Sequence, residues 1–327
     1  MTTSMTPGDW LDVLRTEYLE TFIRDGGAAV KFAVALDPEG KQGLDSGLRS
    51  TAEDLGFMLI KVDAAETRIH MVDQILYRMA AQLDWNSLCA RVLAPLAEEC
   101  GFRLPGDGNG PFGDRLAEAN ETNAKEILIG MRPILTKKIF RNRDLAKDFR
   151  TAMLPLCMSQ LSPGDEASLT AQVLTDWLSG RNKSVGAVRP YSIFNRITRA
   201  NARHLLESML AWIKLAGYPG TILHLDIDRL SIPRNPRDER PFYTAAALLD
   251  AYEVLRQFID GSDRLTACLL LVTADTAFLD QDPQGRGLRR YEALNFRVFD
   301  EIHDRDRANP MASLIRLAGR VTEGELS

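Results

Sequence analysis

Two acids at the end of one apolar run are the first candidates for chemistry. Asp226 and Asp228 close the stretch Tyr218 to Leu230, YPGTILHLDIDRL, in which Thr221, Ile222, Leu223, Leu225 and Ile227 follow a Pro-Gly turn. Such a β-branched, leucine-rich run reads as a strand buried on both faces of a parallel sheet. Acids at its carboxyl edge look into the crevice where α/β sheets take ligands, and a carboxylate placed there can hold the Mg²⁺ of a bound nucleotide. The alternative is a solvated strand-to-loop boundary. His224, Asp226 and Asp228 alternate and therefore share a face, the spacing of a metal-ligand set or a carboxylate pair. Inside a buried run, however, His224 reads as a core histidine with a hydrogen-bonded ring. The second candidate is Gly40-Lys41, in the polar stretch DPEGKQG that follows an apolar run from Ala28 to Leu36. Strand, glycine-bearing loop and helix is the layout of a phosphate site. Other chemistries lack support: His70, His204 and His303 form no HExxH or HxH pattern, no GxSxG elbow occurs, and no base accompanies a cysteine.

The elements that must position these residues follow from the pattern. Asp9 to Ile23 has helical apolar spacing, ended by Gly26 and Gly27. Strands are expected at 28–36, 57–64, 221–227, 267–273 and 311–317, with 37–43 as a loop, a helix following it over 44–56, and further helices at 69–83, 201–216 and 242–259. From Trp85 to about Leu215 strand signals are nearly absent, and helical patterns are broken at Gly106 to Gly113, Pro133, Pro163 and Gly180. GDGNGPFG, at 106–113, is a flexible loop on composition and lacks the preceding strand that a phosphate loop needs. SIPRNPRDERP, at 231–241, is a Pro- and Arg-rich loop. The expectation is a doubly wound α/β core in two halves, 1–84 and 216–327, interrupted by an α-helical insert at 85–215.

A phosphate loop, GxxxxGK[ST], works because successive backbone N–H groups curl around phosphate oxygens, the lysine adds a cation and the hydroxyl binds Mg²⁺. Here the eight residues would be Ala35, Leu36, Asp37, Pro38, Glu39, Gly40, Lys41 and Gln42. Only Gly40 and Lys41 survive. Pro38 lacks an N–H, and Gln42 offers a neutral amide where a hydroxyl would meet the metal. Asp37 and Glu39 bring negative charge into an anion cradle, where a unit repulsion at ~4 Å costs about 4 kcal/mol at an effective dielectric near 20.

Taken in order, the motifs resemble those of the ATP-binding P-loop proteins of BREX-type phage-defence systems, relatives of AAA+ and STAND-like ATPases. The resemblance runs through YLETFIRDGGAAVKFAV (18–34), LGFMLIKVDAAETRIH (55–70), LAGYPGTILHLDIDRL (215–230), LLLVTADTAFLDQ (269–281), GLRRYEAL (287–294) and NPMASLIRL (309–317). It implies a P-loop NTPase-like (AAA+/ASCE) parallel sheet flanked by helices, with ATP and Mg²⁺ as ligands. Lys41 would meet the phosphates, Asp226 would match the Walker B aspartate that holds the metal, and Thr273 or Asp275 would sense the γ-phosphate. Arg289 and Arg290 match a position from which an arginine reaches a neighbouring subunit's phosphates, which implies a homo-oligomer; the alternative is surface charge. Ile227 stands where the family's catalytic glutamate would be, which implies weak or absent hydrolysis. Little chain follows the last strand for a helical lid.

At 327 residues with 45% hydrophobic content the chain can bury a sizeable core. No apolar run or leader-like start points to a membrane or secretion, and the dispersed Cys89, Cys100, Cys157 and Cys268 fit buried reduced thiols, so a cytoplasmic setting is expected. A net charge of −5 argues against a generally basic surface. Two local sets stand out nonetheless: Lys137, Lys138, Arg141, Arg143, Lys147 and Arg150, and then Arg181, Lys183, Arg189, Arg196, Arg199 and Arg203, interleaved with Trp177, Tyr191 and Phe194. They fit either phosphate neutralisation with base stacking or solvated faces over core aromatics. The functional expectation is a degenerate, nucleotide-sensing member of a multi-protein defence complex. The alternative is a pseudo-ATPase scaffold that recruits proteins or nucleic acid through its insert.

Overall fold

A computed structural model describes residues 4–106, 108, 110–162, 164–232, 242–299 and 308–320. Its sheet has five parallel strands in the order β2-β3-β4-β1-β5: β1 Ala28–Ala35, β2 Met58–Asp63, β3 Thr221–Asp226, β4 Cys268–Ala274 and β5 Leu314–Leu317. Four lie within the expected runs, trimmed at their ends, and β4 is shifted one residue onward from 267–273 to 268–274. The two central strands β3 and β4 are buried at every position, as continuous apolar runs require.

Helices cover both faces. On one, α1 (Pro7–Val13), its π-helical continuation over Leu14–Ile23, and α2 (Pro38–Leu55) place Trp10, Leu14, Leu44 and Leu48 against Ala33, Ile222, Leu269, Leu271, Ile315 and Leu317. Lys31 points to this side too, where its ammonium donates to Met311 O and Ala312 O at 2.6 and 3.2 Å and tethers the approach to β5. On the other face Phe32 stacks on Phe278, which meets Tyr252 edge-on.

From Pro38 onward the stretch is a helix, not the loop expected over 37–43. Asp37 is the N-cap, Pro38 occupies the first turn and Glu39 adds an acid there, so α2 starts directly after a two-residue link from β1. Gly56, at φ 72°, ends α2 in the left-handed conformation that favours glycine.

By contacts the chain divides into two compact units, 1–75 with 218–327, and 76–217. After α3 (Val72–Ala80) the second unit runs through α4 (Trp85–Glu99), α5 (Phe112–Ala119), α6 (Ala124–Leu135), α7 (Lys147–Leu161), α8 (Asp165–Leu178), α9 (Val185–Val188) and α10 (Arg199–Leu215). Phe149 of α7, packed between Trp85 and Trp212, centres its core. Pro133 does not break α6, because the chain continues as a π-helical turn over Thr136–Phe140, a geometry that absorbs local strain. Pro163 lies outside the described residues. The first unit resumes with β3, the short α11 (Asp228–Ser231), α12 (Ala245–Asp260), β4, α13 (Glu292–Val298) and β5. Most of the loop 231–241 is outside the described residues. The four cysteines are free, Cys89, Cys157 and Cys268 fully buried. Among the described residues no helix is long and apolar enough to cross a membrane.

Candidate functional site

The carboxyl edge of the sheet carries one ionic cluster. Pairing sets Lys61 of β2 beside His224 of β3, and Asp226 beside Thr273 of β4, all on the face that α2 covers. From α2, Lys41 and Asp45 are four residues apart and so share the side that meets this edge. Lys41 Nζ pairs with Asp228 and lies 3.2 Å from Asp226 Oδ2. Lys61 Nζ is 3.1 Å from Asp45 and 3.7 Å from the same Asp226 oxygen. Asp226, only 4% exposed, also accepts from the Asp228 amide at 3.2 Å. Two ammonium groups thus face three carboxylates.

Burial and charge tune the cluster in opposed directions. Burial works against the Lys41 charge, but the Asp228 hydrogen bond and the fields of both aspartates outweigh it and hold its pKa above the usual lysine value. Burial and the neighbouring Asp226 raise Asp228, against the hydrogen bond from Lys41. Burial, and then Lys61, push His224 down to about 4. The His224 ring, 2% exposed, shares a 2.8 Å hydrogen bond between Nε2 and Thr273 Oγ, the core role its sequence context suggests.

The first turn of α2 is closed from within. The Asp37 carboxylate accepts from Gly40 N at 2.6 Å and from Gly319 N at 3.1 Å, so an internal anion takes the helix N-terminus where a phosphate would sit. Gly40 is also pressed by the exit of β5: a Cβ there would stand 2.9 Å from Leu317 O and 3.3 Å from Ala318 Cα. Close packing is therefore reason enough for this glycine. Gln42 is exposed.

The remaining sequence candidates are placed as follows. Thr273 is bonded to His224, and Asp275 caps the turn Thr276–Leu279 while accepting from Ser231 Oγ at 2.6 Å. Arg290 donates to Pro283 O and Gln284; Arg289 is exposed; neither is bonded to a member of the cluster. The fold therefore brings Lys41, Asp226 and Asp228 together, with Gly40 beside Lys41 on the first turn of α2. Asp45, Lys61, Ser231 and Gly319 complete the surroundings and were not singled out in the sequence, although the i, i+4 relation of Lys41 and Asp45 and the Asp-Pro start of α2 are visible there.

Gly40 N is taken by Asp37, Lys41 is matched by two carboxylates, and the Asp226 oxygen a metal would need faces two ammonium groups. The groups a triphosphate would need are thus engaged with one another in this structure. Among the described residues no group of three or more His, Cys, Asp or Glu is placed to hold a metal ion.

Fold and site together define a parallel α/β protein whose ligand edge joins the first helix to the acid-ended central strand. The chain belongs to the BREX system ATP-binding protein BrxC/D family, whose sequence model matches residues 116–326. That match includes β3, β4, β5 and Asp226, but not the junction of β1 and α2 with Gly40 and Lys41. No curated protein and no solved structure matches the chain. Membership makes it a component of a multi-protein phage-defence system with ATP-binding ancestry, and suggests ATP as a ligand.

Proposed function

We propose that this chain is a BREX component with a P-loop NTPase-like core that works without turnover, its phosphate site held shut by its own Asp37. The observation that carries the reading is the pair of hydrogen bonds from Gly40 N and Gly319 N to Asp37, next to a Lys41 already neutralised by Asp226 and Asp228. A phosphoryl group needs backbone amides and an uncommitted cation to enter; here both are engaged internally. The buried Ile227, in the place of an acid that would orient water, fits a core without hydrolysis. In this reading Thr273 and Asp275 are structural, and Arg289 and Arg290 are surface charge. ATP would enter only with Asp37 displaced.

Calorimetric titration of the full chain with Mg-ATP, for wild type and Lys41→Ala, tests the proposal. The expected result is no saturable heat for either protein and no phosphate release. Saturable binding by wild type that Lys41→Ala removes would overturn it.

A further inference from the structure

The two basic sets of the helical unit meet in space. Asn195 Nδ2 donates to Asp148 Oδ2 at 3.0 Å, which lays the segment after Tyr191 against the first turn of α7, and Arg150 Nη1 donates to Asn142 O at 2.8 Å, which folds the turn between α6 and α7 onto the same corner. Asn195 adjoins Phe194 and Arg196; Asp148 adjoins Lys147. The charge there is one-sided. From Arg132 to Arg150 seven Lys and Arg stand against two acids, and from Trp177 to Leu206 there are six Lys and Arg and no acid, in a chain whose net charge is −5. Lys137, Arg141, Arg143, Lys147, Arg189 and Arg196 are exposed, and among the described residues their side chains make no hydrogen bond or ion pair. Among the described residues Lys138 pairs with the exposed Glu99, at 3.3 Å.

Aromatic rings separate this corner from an ordinary solvated helix face. Trp177, 2% exposed, is core, and Tyr191 is half-buried with its hydroxyl on Thr170. Phe140 and Phe194, in contrast, are 43% and 63% exposed, Phe140 between Lys138 and Arg141 in sequence and Phe194 two residues before Arg196. Exposed rings among uncommitted cations suit a ligand with both phosphates and free base faces. We infer that the corner formed by 137–150 and 189–196 binds single-stranded nucleic acid, Phe140 and Phe194 stacking on bases while Lys137, Arg141, Arg143, Lys147 and Arg196 neutralise phosphates. The comparison polymers lack one of the two features: polyglutamate has charge but no aromatic planes, and a duplex keeps its base faces stacked inside.

Fluorescence anisotropy of the full chain with labelled oligothymidine of roughly 20 nucleotides, over a salt series, tests this. Binding is expected to weaken linearly in log salt. Phe140→Ala with Phe194→Ala should lose about 25-fold or more in affinity with the salt slope unchanged, since each of the two stacked bases is worth at least about fivefold. Arg141→Gln with Arg143→Gln should flatten the slope by about 1.4, near 0.7 per lost phosphate contact. Phe140→Leu with Phe194→Leu keeps the apolar volume and should lose affinity like the alanine pair. No binding at low salt, binding insensitive to salt, polyglutamate or duplex DNA bound as tightly, or leucine and alanine pairs that bind like wild type would each overturn the inference.

Discussion

Replacing Asp37 with asparagine separates the two jobs of that side chain. As an N-cap, asparagine is as good as aspartate, and its amide oxygen can still accept from Gly40 N and Gly319 N. The loss in stability is therefore confined to the interaction of the charge with the α2 dipole, about 0.5 kcal/mol for a half-exposed group. As an obstacle to phosphate, the charge matters more. A unit repulsion at ~4 Å is about 4 kcal/mol at an effective dielectric near 20, and solvent at this half-exposed position reduces it to roughly 1.5 kcal/mol, or about tenfold in affinity. Calorimetry with Mg-ATP and with tripolyphosphate, on wild type, Asp37→Asn and Asp37→Asn/Lys41→Met, measures the effect, with urea denaturation as the control for folding. Asp37→Asn should gain at least about tenfold in affinity, read as saturable heat under conditions where wild type gives none, and the added Lys41→Met should remove the gain. A protein that unfolds as easily as wild type yet binds no better would show that the Asp37 charge does not close the site.

Two further outcomes follow from the ionic cluster. Lys41→Met leaves the buried Asp226 beside Asp228 with Lys61 alone at 3.7 Å. Removing one partner of a buried pair costs about 3–5 kcal/mol, and partial exposure of Lys41 lowers the expectation to about 2 kcal/mol in urea denaturation, part of it restored by Asp228→Asn. A neutral Lys41→Met would show that the pair carries no net weight. His224 has a folded pKa of about 4 against an ordinary value of 6.5. Between these values the unfolded chain binds the proton and the folded one does not, so stability is full above pH ~6.5, falls as pH drops toward ~4, and falls no further below that from this group. By pH 5 the loss is about 2 kcal/mol at 1.36 kcal/mol per unit, and His224→Gln should flatten this part of the profile; an unchanged slope would reassign it to other groups.

Much of this protein is written in local patterns. The five strands are legible because each is a short apolar run bounded by turn residues, and the acid at the end of β3 is legible because a fully buried strand has to surface in a polar residue. The departures of 35–42 from a phosphate loop can also be read directly, since Pro38 has no N–H and Gln42 no hydroxyl whatever the fold. The helix start at Asp37-Pro38 was legible in principle, as an N-cap followed by proline, but competed with the stronger expectation of a loop between strand and helix.

Other features were settled only by tertiary contact. Lys41 and Asp226 are 185 positions apart, and nothing in their spacing tells that one ammonium will neutralise two aspartates. Gly319 donates to Asp37 across 282 positions, which converts a lone acid into the plug of a helix end. Trp177 and Phe194 carry the same kind of sequence context, yet one is core and the other surface, because burial depends on what packs against a side chain and not on its type. Short-range pattern determines which segments are strands and helices, since that depends on neighbouring side chains and backbone sterics. Which charges meet is decided by strand order and helix placement, because Coulomb and hydrogen-bond terms act over a few ångströms of space regardless of distance along the chain.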